Sequence, residues 1–130
     1  MPTNEEILEA VTAYRAALRW SSTDAEGVPF DAPFYELFEF TELAQQTAAE
    51  EVRGFIKRNL EHLTAFMEVT GRGWGDVGHD FALTRNHHGT GFWDRGAAGP
   101  AVDAIVAACD EAGEVNVYVA DQDGDYLETE

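Results

Sequence analysis

The stretch that decides the fold runs Gly71-Arg72-Gly73-Trp74-Gly75-Asp76-Val77-Gly78 and continues His79-Asp80-Phe81-Ala82-Leu83-Thr84-Arg85-Asn86-His87-His88-Gly89-Thr90-Gly91-Phe92-Trp93-Asp94-Arg95. Four glycines in eight residues break the hydrophobic periodicity on either side. Residues 71–78 therefore read as a linker, with Gly71 stopping the helix before it. Beyond it the pattern changes from helical to short apolar runs with turns. His79–Asn86 and Thr90–Asp94 read as the two strands of a hairpin, and Gly89 is placed to supply a positive-φ turn position.

Upstream of this stretch the chain reads as helical. Thr3 and Glu6 form a capping box, and Ile7, Val11, Tyr14 and Leu18 recur at helical spacing, with Leu8 beside them. Ser21–Asp24 ends this helix. Residues 30–40 mix five aromatics with three acids without a clean period, and predict a short helical turn near 34–38. Thr41 caps one long second helix, whose buried stripe is Ala48, Val52, Phe55, Ile56, Leu63, Phe66 and Met67. The basic cluster Arg53, Lys57 and Arg58 lies on it.

Downstream, Gly99-Pro100 opens a third helix with proline at its first position. Val102, Ile105, Val106 and Cys109 form its core face, and Gly113 ends it. Val115–Ala120 and Tyr126–Thr129 read as a second hairpin around the Asp123-Gly124 turn. The expected fold class is α+β: two N-terminal helices, one of them long, then hairpin, helix and hairpin, with a small antiparallel sheet packed on the helices. Residues 1–130 form one domain, helical over 1–70 and hairpin-helix-hairpin over 79–130.

Lys and Arg number 8 against 25 Asp and Glu, for a net charge of −17. Residues 1–51 carry −9, residues 52–100 carry +1 and residues 101–130 carry −9. Such a field repels nucleic acid and anionic membranes and attracts basic protein surfaces. A single cysteine, no basic and apolar leader and no run of about 20 apolar residues point to the cytoplasm.

The motifs that carry chemistry do not fit. The glycine run has a helix before it and a strand after it, the reverse of a phosphate loop, and lacks Gly-Lys-Ser/Thr. The four histidines lack zinc spacing. Asp121–Asp125 resembles the opening of a calcium loop, but its glycine stands at the fourth position and not the sixth. Cys109 belongs to a packing face, and no nucleophile elbow is present. No catalytic residue, metal ligand or cofactor is assigned, and the reading is a binding protein and not an enzyme. Two surfaces are candidates. One is the proposed hairpin, with Arg85, Asn86, His88, Trp93, Asp94 and Arg95, residue types that concentrate at binding hot spots. The same residues also suit an Arg–Asp network that stiffens the hairpin. The other is acidic: Glu5, Glu9, Asp24, Glu26, Asp31, Glu36 and Glu39 with Asp121, Asp123 and Asp125. It becomes one face if the first helix and last hairpin lie together. A small enzyme using His88, Asp94 and Arg95 is a weaker alternative. Arg53, Lys57, Arg58, Arg72 and Arg85 are the residues that could still hold nucleic acid.

The run His79-Asp80-Phe81-x-Leu83-Thr84-Arg85-Asn86-x-His88-Gly89-x-Gly91-Phe92-Trp93-Asp94-Arg95-Gly96 resembles a motif in a family of small acidic proteins of tailed bacteriophages. Leu18-x-Trp20-Ser21-x-Thr23-Asp24 and Tyr118-Val119-x-Asp121-x-Asp123-Gly124 are similar to other parts of that family. The aromatic segment 30–40 departs from it. The resemblance implies an origin and not an activity. It implies a partner in the host cytoplasm, with inhibition of a nucleic-acid-handling or defence enzyme by DNA mimicry as one form. An accessory or adaptor protein that uses the 79–95 hairpin as its contact surface is the alternative.

Overall fold

The computed structural model describes residues 1–89 and 91–130, and the backbone but not the side chain of Trp93. Among the described residues it holds five α-helices and one three-stranded sheet: α1 (Asn4–Ser21), β1 (Glu39–Phe40), α2 (Glu42–Arg58), α3 (Leu60–Thr70), α4 (Trp74–Arg85), α5 (Pro100–Ala112), β2 (Val117–Val119) and β3 (Tyr126–Thr129). The α+β class stands.

Helix α1 starts at the expected capping box: Glu6 N–H donates to Thr3 Oγ1 at 3.1 Å and Thr3 N–H to Glu6 Oε1 at 2.9 Å. Its buried stripe is Ile7, Ala10, Val11, Tyr14, Ala17 and Leu18. Thr41 caps α2 through Ala44 N–H at 3.1 Å. The expected long helix, however, is two. Asn59 leaves helical geometry (φ −121°, ψ 19°), and its side-chain amide donates to Phe55 O at 2.9 Å. That local bond competes with the backbone ladder and turns the chain at the boundary. The turn lets α3 bury Leu63 and Phe66 and pack on α5. Gly71 ends α3 in the left-handed conformation (φ 72°), as its position predicts.

The largest correction falls on the opening stretch. Residues 71–78 are not a linker, and His79–Asn86 is not a strand. Both belong to α4 and its flanks, from Gly73 before the first turn to Asn86 after the last. Gly73 N–H donates to the Asp76 carboxylate at 3.0 Å, which supplies the N-terminal cap. Gly78 is packed so closely on α1 that a Cβ there would lie 1.9 Å from Ala10 O. The glycine permits contact between two helix backbones and does not confer flexibility. From Asp80 to Arg85 every residue of α4 is buried. A helix covered on all sides has no polar face, so the 3.6-residue alternation that would reveal it is absent.

The second hairpin strand is also corrected. Phe92–Asp94 is a single 3₁₀ turn, while Thr90 lies outside the described residues. The left-handed residue between α4 and this turn is His87 (φ 55°) and not Gly89. Proline-led α5 and the β2–β3 hairpin match expectation, with Val117 opposite Thr129 and Val119 opposite Leu127. The sheet is mixed and not antiparallel. Its order is β1-β3-β2, with β1 parallel to β3 and Glu39 opposite Tyr126. β1 was not expected, because two residues are too few to show a period.

One core joins the helical and hairpin parts. Phe55 of α2 stacks on Phe81 of α4 at 4.0 Å between ring centroids, and Phe92 packs against Phe55 and Phe66.

Candidate functional site

Arg85 is 4% exposed and sits where four elements meet. Its guanidinium donates to Gly113 O at 2.7 Å, Ala112 O at 2.9 Å and Tyr14 Oη at 2.9 Å, and pairs with Glu51. It lies over the Phe81 ring, 5.2 Å from the centroid. Helix α5 has no basic residue in its last turn, so Arg85 supplies the cation its C-terminal carbonyls favour. Burial pushes the Tyr14 hydroxyl pKa upward, against the lowering effect of Arg85. Next to it, Asn86 pairs with the backbone of Val115 in both directions, Nδ2–H to O at 3.0 Å and Oδ1 from N–H at 2.7 Å. Arg85 and Asn86 thus hold the chain's last third in place and do not project from a hairpin.

Asp80 is fully buried and ties α4 to the segments that precede and follow it. Arg95 donates to it twice, Nε to Oδ2 at 3.1 Å and Nη2 to Oδ1 at 2.5 Å. Arg72 approaches Oδ1 at 3.4 Å. His79 Nδ1 lies 3.0 Å from Oδ1 and carries the proton there, since a carboxylate can only accept. This bond orients the ring, with Nδ1 turned to Asp80. The hydrogen bond to Asp80 is the main effect that raises the Arg95 pKa. Trp20, 38% exposed, packs on His79 at 6.0 Å and edge-on to His88 at 5.2 Å. His88 Nδ1 is buried without a hydrogen-bond partner among the described residues. Of the six residues expected on the hairpin, His88 and Arg95 belong to this cluster. Asp94 is exposed beside it, and the side chain of Trp93 lies outside the described residues. Trp20, Arg72, His79 and Asp80 join the cluster. Of these only Arg72 was singled out by the sequence, and then as part of a basic patch with Arg53, Lys57, Arg58 and Arg85, while Trp20, His79 and Asp80 were not expected to act in a site. Only their place in one motif could have flagged the last two.

The acidic residues divide into two groups. Glu5 and Glu9 are exposed on the first turns of α1. At 1.5 Å rise per residue, Glu5 lies about 20 Å from Arg19 at the far end of that helix. Arg19 donates to the carbonyls of Phe30 at 2.8 Å, Phe38 at 2.7 Å and Tyr35. It thereby pins segment 30–38, with Phe30 and Tyr35 in the core and Phe34 and Leu37 75% and 81% exposed. Asp31 and Glu36 line a shallow depression beside Arg19 and Pro33. Parallel pairing then places the 121–125 turn next to this segment: Glu39 N–H donates to Asp125 O at 3.1 Å. Asp31, Glu36, Glu39, Asp121, Asp123 and Asp125 are all exposed in these two adjoining segments. Asp24 and Glu26 lie in the preceding turn. The Asp24 carboxylate is engaged by Tyr35 Oη–H at 2.6 Å and by the amides of Glu26 and Val28, both at 2.9 Å. The Tyr35 bond leads in holding the Asp24 pKa below the ordinary range, and in raising that of Tyr35 to about 12.

Among the described residues no group of three or more His, Cys, Asp or Glu is placed to hold a metal ion, and no helix is long and apolar enough to cross a membrane. Comparison with protein-family models, with curated proteins and with solved structures gives no significant match.

Proposed function

We propose that this is a non-enzymatic binding protein whose acidic, aromatic end captures a basic surface on another protein. The observation that carries it is the parallel pairing of β1 with β3. It brings the acids of residues 121–125 beside the 31–39 segment, which carries acids of its own and two nearly bare apolar side chains, Phe34 and Leu37. Carboxylates beside apolar side chains suit a partner with Lys and Arg beside an apolar contact: charge steers the encounter and apolar burial holds it. In the form suggested by the bacteriophage resemblance, the partner is a host enzyme that handles nucleic acid, and the carboxylates occupy phosphate positions.

The test is affinity capture from nuclease-treated bacterial lysate, washed at low and high salt, with two variants alongside. E39Q/D123N/D125N should weaken recovery of a discrete partner about tenfold at low salt, and F34S/L37S should weaken it at every salt concentration. Equal recovery by both variants and the parent would sink the proposal.

A second reading, a small-ligand site, rests on His79, which Asp80 orients through Nδ1 and whose ring packs on Trp20 beside His88. It requires that H79Q abolish ligand-induced changes in Trp fluorescence while leaving capture of the basic partner intact.

A further inference from the structure

The outer face of α1 carries a second feature, apart from the acidic end. Leu8, Thr12, Ala16 and Trp20 stand four residues apart and form one ridge inclined to the helix axis. Leu8 is 61% and Trp20 38% exposed, at opposite ends of that ridge. Twelve residues separate them, or about 18 Å along the helix. Between α1 and the start of α4 lies a shallow groove lined by Leu8, Thr12, Ala13, Ala16 and Gly75 together with Glu5 and Glu9, the Glu9 side chain lying against Gly75. One turn beyond Ala16, Trp20 leans against His79 of α4.

We infer that this groove docks a basic amphipathic helix of another protein. The small residues Thr12, Ala13 and Ala16 on the α1 side allow a helix backbone to come close, and Leu8 and Trp20 offer apolar anchors about three turns apart. Charge selects the occupant. The two carboxylates that line the groove, Glu5 and Glu9, are exposed, and Arg15 is turned away to Gln45 of α2. A cationic helix is matched to that lining. A second copy of the chain is not, since each copy brings a charge of −17 and its own Glu5 and Glu9. The inference is independent of the acidic end, which lies on other elements.

The experiment titrates the full ¹⁵N-labelled chain with a synthetic amphipathic peptide of about 18 residues, Leu on one face and Lys on the other. A scrambled peptide of the same composition serves as control. The expected result is saturable shifts in α1, α4 and the Trp20 indole N–H, with binding at least about tenfold tighter than for the scrambled peptide. L8E and A16E should each weaken it about tenfold, with unchanged circular dichroism because both positions are exposed. Four results would overturn the inference. These are no binding, equal binding of the scrambled peptide, shifts centred on residues 31–39 and 121–125, and a dimer in sedimentation that L8E dissociates.

Discussion

Gly78 and Gly75 stand three residues apart on the same helix and carry opposite consequences. A methyl group at Gly78 would overlap the Ala10 carbonyl of α1, which is backbone and cannot step aside. G78A is expected to cost about 3 kcal/mol or more, at the upper end of overpacking penalties. At Gly75 the nearest atom to an added Cβ is the Glu9 carboxylate, the far end of a mobile side chain. G75A should be neutral or stabilise by up to about 1 kcal/mol through helix propensity. Urea unfolding of the two variants checks the pair. If residues 71–78 were a flexible linker, both would be tolerated alike. Asp80 supports a second prediction. Its carboxylate is fully buried with two arginines on it, so D80N leaves Arg95 facing a neutral group and should cost about 3–5 kcal/mol by thermal unfolding. R95M in the D80N background should recover part of that loss, since the cation that faced the carboxylate is then gone.

At the scale of elements, α4 organises the molecule. It packs along α1, stacks Phe81 on Phe55 of α2, and from its C-terminus caps α5 and holds the strand that follows. Thr84 adds an acceptor for Phe92 N–H at 3.0 Å. N86A removes both bonds to Val115 and leaves a buried amide and carbonyl without partners. It should cost about 1–3 kcal/mol. Hydrogen exchange should localise the loosening to residues 113–119, with protection in α1 and α2 following only the global change. Uniform loss across the chain would mean that the 113–119 segment does not open separately. Most of the motif was legible only as a dense run of polar and aromatic residues. Its helical state was hidden because Asp80, Thr84 and Arg85 point into the protein, and polar residues in the interior erase the alternation that marks a helix.

For the whole molecule, charge is the dominant quantity. With −17 on 130 residues, carboxylate repulsion opposes the compact state, most strongly where residues 31–39 meet the 121–125 turn. The melting temperature should therefore rise with sodium chloride up to a few tenths molar as the Debye length contracts below about 10 Å. The rise should be smaller in E39Q/D123N/D125N. The buried pairs at Asp80 and Arg85 are screened little and do not reverse the trend. A flat or falling curve would show that surface repulsion is not what limits stability.

Read by itself, the sequence determined the features set by neighbours along the chain. The capping boundaries of α1 and α2, the Gly71 and Gly113 stops, proline-led α5 and the β2–β3 turn each depend on a few adjacent residues whose local chemistry is sufficient. The acidity, and its concentration at both ends of the chain, was equally plain. Tertiary structure decided what depends on contacts between distant residues: the helical state of 74–85, the break at Asn59, and the parallel strand at 39–40 that exists only because β3 pairs with it. It also decided which charges are neutralised inside, at Asp80 and Arg85, and which are left bare at one end. A buried helix, a two-residue strand and an ion pair between elements have no local signature, because the free energy that forms them comes from residues far away in the sequence.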